Sequence, residues 1–262
     1  MNTQYFFMHK DQLEAMGAYV GFDLYCAGHL VWLCAIAAAG TVISGAYKKA
    51  GKRRREKTAG IFAVTILVSE ILKDIILVAN GASIIDYMPL HLCSFAIICM
   101  MAHAFCRSGR VKEVAGQMMA YAFFPGATAA LLFCNWTLYP FFSFMNIFSF
   151  LFHGWIIFYF LMIYRAKEVV PSYRGMWQTA LAVAVAAVPV YIFNLIFDTN
   201  YLFINEASEG SPLVAVWNIF GERFGQGGYL FGVALLVIAV FHGLFLVYTL
   251  LRRCYKHLYI SQ

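Results

Sequence analysis

Residues Tyr229–Leu251 read YLFGVALLVIAVFHGLFLVYTLL, without a single Asp, Glu, Lys or Arg, and end on Arg252-Arg253. About 20 such residues carry a helix across the ~30 Å hydrocarbon core of a bilayer. A helix satisfies its own backbone groups there, as that medium requires. Six further apolar blocks precede this one, at Leu24–Tyr47, Gly60–Ala79, Met88–Phe105, Ala115–Phe133, Tyr139–Tyr164 and Trp177–Phe197. None shows the period-2 alternation of a membrane barrel. Only 12% of the residues are charged and 62% are hydrophobic, whereas a soluble domain carries about 25% charged residues to wet its surface. The expectation is one all-α transmembrane domain over residues 1–262, a bundle of seven helices.

The loops between the blocks alternate in charge. Lys48, Lys49, Lys52, Arg53, Arg54, Arg55 and Lys57 follow the first block, and Arg107, Arg110 and Lys112 follow the third. Arg165, Lys167 and Arg174 follow the fifth, and Arg252, Arg253 and Lys256 the last. The opposite loops hold only Lys10 and Arg223 as cations, beside Asp11, Glu14, Asp23, Asp86, Asp198, Glu206, Glu209 and Glu222. The excess of Lys and Arg on cytoplasmic loops then orients the chain N-out and C-in, and an even number of spans would break the alternation. The net charge of +6 is thus a topology signal near anionic headgroups, and no nucleic-acid partner is expected.

The chain opens without a basic stretch followed by an apolar one, so no cleaved leader is expected. Its seven cysteines are scattered singly, which argues against a disulfide framework. Within the long external segment Asp198–Gly228, Ser208–Pro212 reads as a turn and Leu213–Phe220 as a short interfacial helix.

Ionisable groups at membrane depth cost about 2.5–3.5 kcal/mol each on insertion scales and mark bundle interiors. Here they are His29, Glu70, Lys73, Asp74, His91, His103, His153 and His242, with Asn194 as an uncharged polar group. Glu70, Lys73 and Asp74 share a helix face by i,i+3 and i,i+4 spacing. They read as a Glu70–Lys73 pair with Asp74 near the outer interface, or as carboxylates that orient an imidazole. Pro89 reads as a first-turn proline, starting the third helix near Met88. His91 and Cys93, two apart, do not face each other on a helix. A base for Cys93 would therefore come from another helix, from His29, His153 or His242.

His29 and Cys93 each lie five residues into their blocks, about 7–8 Å below the outer ends. His153 lies about 21 Å below Tyr139 on the same rise. It reaches Cys93 only if its helix begins later, near Phe144, with Tyr139–Met145 as an interfacial stretch. Spacing alone leaves a structural reading of each group open.

The segment Met88-Pro89-Leu90-His91-Leu92-Cys93 resembles the YwaF-like integral membrane family, whose hallmark is Pro-Leu-His-Leu-Cys opening a transmembrane helix. His29 in Gly28-His29-Leu30, His153-Gly154, Asn200-Tyr201 and the acidic Glu70 are similar to further landmarks of that family, in the same order. Met88 replaces a frequent leucine, and residues 203–212 diverge. An animal branch of the family is described as acyltransferases acting on lysophospholipids. The resemblance implies Cys93 as nucleophile and His153 as base. It further implies His29, His91, Glu70, Asn200 and Tyr201 as supporting or substrate-binding groups, Asn200 as a substrate or oxyanion contact.

The implied function is acyl transfer or lipid hydrolysis on phospholipid-type substrates, by a multi-pass protein of a bacterial cytoplasmic membrane. Its partners would be membrane lipids, with a lysophospholipid as substrate. No metal-ligand pattern and no glycine-rich phosphate loop occurs, so no metal or cofactor is expected. Histidines around a central cavity also suit a transporter or small-ligand binder, and a structural membrane partner is the third reading. Only the enzyme needs the Cys93 thiol.

Overall fold

The computed structural model describes residues 5–17 and 20–260, with side chains through Cys254. The expectation of no leader draws partly on residues 1–4, 18 and 19, which lie outside the described residues, as does the Lys256 side chain. A short helix α1 (Lys10–Ala15) precedes α2 (Ala27–Lys49), α3 (Lys52–Ala79), α4 (Leu92–Phe105), α5 (Gly109–Met118) and α6 (Phe124–Leu132). Then follow α7 (Phe144–Arg165), α8 (Tyr173–Phe197), α9 (Leu213–Val216) and α10 (Glu222–Ile260). A π-turn at Met119–Phe123 joins α5 to α6 in one rod. Each of the seven apolar blocks thus becomes one helical rod. Four stretches are long and apolar enough to cross a membrane by length and composition: Ala27–Lys49, Phe144–Arg165, Tyr173–Phe197 and Leu213–Cys254.

Several boundaries differ from the expectation, each for a local reason. The third rod starts at Leu92 rather than Met88. Met88 is extended (φ −56°, ψ 144°), because a residue before proline is pushed out of the helical region. Pro89 therefore precedes the helix instead of lying in its first turn. The fifth rod starts at Phe144, not Tyr139, where the Ser143 hydroxyl caps the Asn146 N–H at 3.3 Å. The second begins at Lys52, with the basic cluster in its first turns. The π-turn sits just before Pro125, whose ring would clash with a regular helical carbonyl one turn back. The widened turn leaves the Ala120 carbonyl to accept from Tyr248 Oη on α10 at 2.9 Å.

The loops sort into two ends. At one, Arg55 pairs with Glu168 at 3.2 Å, Tyr47 Oη donates to Glu168 at 2.8 Å and Arg165 donates to Ser44 at 2.9 Å. Gln117 bonds Val170 O and Ser172 N, and Arg252 bonds Pro171 O. The basic loops after the first, fifth and last rods meet there. At the other, Phe22 N bonds Thr137 O, Phe144 N bonds Phe6 O, Tyr87 meets Tyr139 at 3.1 Å and Tyr201 Oη donates to Ile85 O. Burial and the Tyr87 contact push the Tyr139 phenol up. The rods therefore alternate in direction, as loop charge requires for an N-out, C-in bundle. Cysteines introduced singly at Lys52 and Glu209 are expected to label from opposite sides of intact cells; reaction of both with an impermeant maleimide would reverse that assignment.

The expected helix at Leu213–Phe220 forms, but it is packed rather than isolated. Gly225 takes φ 62°, ψ −156°, a conformation open to glycine, and turns the chain back so that residues 213–224 lie along the start of the last rod. A Cβ on Gly232 would come within 2.7 Å of Val216 and Phe220. α7 is the central helix, with 61% of its apolar window buried against 11% for α8.

Candidate functional site

The outer half of the bundle gathers thiol, imidazole, ammonium and carboxylate groups from α3, α4 and α7. His91 is the N-cap of α4 and Cys93 its second residue, and no side chain caps the helix. Ser94 N donates to His91 O at 3.0 Å, whereas among the described residues the Leu92 and Cys93 N–H groups have no partner and carry the positive end of the α4 dipole beside the thiol. Ser94 Oγ donates to Glu70 Oε1 at 3.4 Å, joining α4 to α3. Lys73 Nζ lies 3.0 Å from Glu70 and 2.9 Å from Asp74, above the Phe148 ring. The expected Glu70–Lys73 pair forms, and Asp74 joins it instead of standing apart. Two carboxyl groups thus share one ammonium among side chains only 6% to 22% exposed.

His153 Nδ1 lies 2.7 Å from Ser149 O. A carbonyl only accepts, so Nδ1 carries the proton and Nε2 of the neutral ring keeps its lone pair. The ring stacks on Trp136 at 5.0 Å and 12°. α4 packs directly on α7, and both run inward from the acidic end. Their register is held deeper down, where His103 Nδ1 meets Tyr159 Oη at 2.9 Å and Tyr159 Oη donates to Met100 O at 3.2 Å. Counting back from that clasp sets Cys93 level with Ser149–Phe152. Helical side chains tilt toward the N-terminus, and the bond to Ser149 O folds the His153 imidazole back to the same level. The depth gap implied by a helix starting at Tyr139 is closed by the start at Phe144.

Cys93 and His153 are deeply enclosed by protein yet each keeps some accessible surface. His91 is within electrostatic reach of Lys73 and His153, and Cys93 of Glu70. Among the described residues nothing hydrogen-bonds the Cys93 sulfur, which leaves it free to meet a ligand. Tyr201 and Phe203 cover His91 from outside, with ring centroids at 4.8 and 5.3 Å. They do so from a turn in which Leu202 and Phe203 have positive φ, 60° and 54°, a strained conformation for such residues. Tyr229 Oη holds it through Phe203 O at 2.7 Å.

The other expected site residues stand differently. Both His29 nitrogens serve the backbone: Nδ1 accepts from Tyr25 N at 2.9 Å, so Nε2 carries the proton and donates to Leu131 O at 2.8 Å. His29 joins the start of α2 to the end of α6, with Phe150 and Trp136 between it and His153. Asn194 holds both the N–H and the carbonyl of Tyr201. Asn200 holds Asn205 N, Glu206 N and Glu206 O. These two asparagines build the turn that carries Tyr201 and Phe203. His242 lies on the far side of the bundle, against Tyr173 and Trp177.

Sequence reasoning missed Trp136 and Ser94 at the site, and His103–Tyr159 as its register clasp. Only the adjacency of Ser94 to Cys93 could have signalled any of them.

Rods of this length and alternation around buried charges define a polytopic α-helical membrane protein. Residues 24–251 match the TMEM164 family, and the chain belongs to it. No curated protein and no solved structure matches the chain.

Proposed function

We propose that this protein moves acyl groups of phospholipid-type substrates through a cysteine nucleophile, by transfer or by hydrolysis. The observation that carries the reading is Cys93 at the open N-terminus of α4, level with a His153 ring whose Nε2 is free. The resemblance to the YwaF-like family points the same way.

His153 Nε2 takes the Cys93 proton as the sulfur attacks the ester carbonyl carbon. The carbonyl oxygen becomes an oxyanion, which a positioned hydrogen-bond donor stabilises. The tetrahedral adduct collapses to a thioester as the C–O bond breaks, and the leaving alkoxide takes the proton from His153. A lipid hydroxyl or water then gives its proton to His153 and attacks the thioester. The thiolate leaves and recovers the proton. Glu70, through Ser94 and Lys73, acts on the position of α4 rather than on substrate. A chamber below the outer end of the bundle meets acyl ester bonds at their own depth, in what we take to be a bacterial cytoplasmic membrane.

Purified protein supplied with diester phospholipid is expected to accumulate an acyl thioester on the Cys93 peptide, visible by mass spectrometry and cleaved by neutral hydroxylamine. Equal acylation of Cys99 and Cys106 would mean nonspecific modification. The buried Glu70–Lys73–Asp74 group also suits a transporter or ligand binder; full retention of function in Cys93→Ser would favour that second reading.

A further inference from the structure

We infer that the indole N–H of Trp136 is the hydrogen-bond donor that receives the reacting carbonyl oxygen in the chamber, an inference that rests on the acyl-transfer reading. Trp136 belongs to the loop between α6 and α7 and is 6% exposed. Its Nε1 has no hydrogen-bond partner among the described residues. A buried donor without a partner is costly and uncommon in folded proteins. Trp155 shows the usual arrangement in this same chain, its Nε1 donating to Phe62 O at 2.9 Å.

An indole nitrogen donates and never accepts, so whatever satisfies Trp136 presents a lone pair; a cation or an ammonium does not fit. The position of the ring narrows the choice further. It lies face to face with the His153 imidazole, at 5.0 Å and 12°. The N–H therefore points within a plane nearly parallel to the plane holding the Nε2 lone pair, one ring thickness away. Phe150 meets the indole at 5.6 Å and 87° and is itself stacked on Trp32 at 5.0 Å, so a second ring of α7 holds the indole in place. The Trp136 carbonyl is tied down by Tyr139 N at 3.1 Å. A fixed donor beside the proposed base is placed for the oxygen of the group under attack.

That oxygen is a neutral carbonyl in the bound ester and an oxyanion in the tetrahedral adduct. The hydrogen bond consequently strengthens as the reaction proceeds, which is the condition for lowering its barrier. No bond to Trp136 is made or broken, and its proton stays on Nε1.

The test uses the full chain in lipid nanodiscs, with ¹⁵N-labelled tryptophan. One preparation contains diester phosphatidylcholine, the other diether phosphatidylcholine of equal chain length, which lacks the carbonyl oxygens. The Trp136 indole resonance, assigned by its loss in Trp136→Phe, is expected downfield in the diester lipid relative to the diether. Trp136→Phe keeps an aromatic ring at the stacking position and removes the donor together with part of the indole volume. It should slow acylation of Cys93 by about 10²–10³-fold, as for loss of one oxyanion donor, with little change in KM and a fall in Tm no larger than that of Trp155→Phe. A resonance at the same position in both lipids, as for a donor satisfied by water alone, overturns the inference, as does acylation of Trp136→Phe at the wild-type rate. If wild-type protein forms no Cys93 thioester, the acyl-transfer reading fails separately, and the two spectra still decide whether Trp136 binds an ester carbonyl. Should Trp136→Phe not fold, phenylalanine variants of Trp32, Trp155, Trp177 and Trp217 assign the remaining resonance by difference.

Discussion

Replacing His153 with alanine is expected to slow thioester formation on Cys93 by about 10²–10⁴-fold, the usual worth of a general base. Its Nδ1 proton is committed to Ser149 O, so the neutral ring is held in the one tautomer that keeps a lone pair on Nε2. The Cys93 sulfur has no hydrogen-bond partner among the described residues. The nearby carboxylate of Glu70 is already engaged by Lys73 and Ser94. No second base stands ready in the same geometry. Because alanine also removes support from the stacked Trp136, a lower rate alone would not separate chemistry from packing. Added imidazole makes that separation: it fits the space the ring leaves and should restore part of the rate in His153→Ala while doing nothing for Cys93→Ala. An unchanged rate in His153→Ala would move the base role to His91, which shares its electrostatic surroundings.

The second large effect is on stability. Lys73→Met is expected to destabilise the protein by about 3–5 kcal/mol, the cost of stripping one partner from a buried ion pair. Glu70 and Asp74 both lean on that one ammonium, at 3.0 and 2.9 Å, and the Glu70 side chain is 6% exposed. Without Lys73 two carboxylates face each other in the bundle, and the long Ser94 bond at 3.4 Å cannot compensate. Neutralising them should reverse the loss, so Lys73→Met combined with Glu70→Gln and Asp74→Asn should recover most of the Tm in detergent. If Lys73→Met melts with the wild-type protein, the three groups are not a charge-balanced unit. If the triple variant melts as low as the single one, the lysine acts through packing along Phe148 instead.

Seven rods, their order and their direction were legible in the chain because they depend on solvent and length. An apolar block of about 20 residues has one stable answer in a bilayer, and loop charge orients it. Helix ends were less legible where the signal was a single residue. Pro89 was compatible with a first helical turn, yet its effect on Met88 delays α4 to Leu92. The Ser143 cap delays α7 to Phe144. Those few residues set whether Cys93 and His153 share a level, so the site stayed open at the stage where the bundle was already clear. Which histidine is free was decided only by tertiary contacts. Along the chain His29, His153 and His242 all stood as candidate bases, with His29 at the depth of Cys93, but Leu131 O, 102 residues from His29, takes the proton of that ring. Ser149 O, one turn from His153, takes the Nδ1 proton of His153 and leaves its Nε2 without a partner among the described residues. Trp136 gave no sign at all, since an indole in a loop declares nothing until a fold buries it against an imidazole and leaves its N–H unpaired. Hydropathy and charge act along the chain and can be read there; hydrogen-bond allocation depends on which distant groups arrive together, and only the packed bundle settles it.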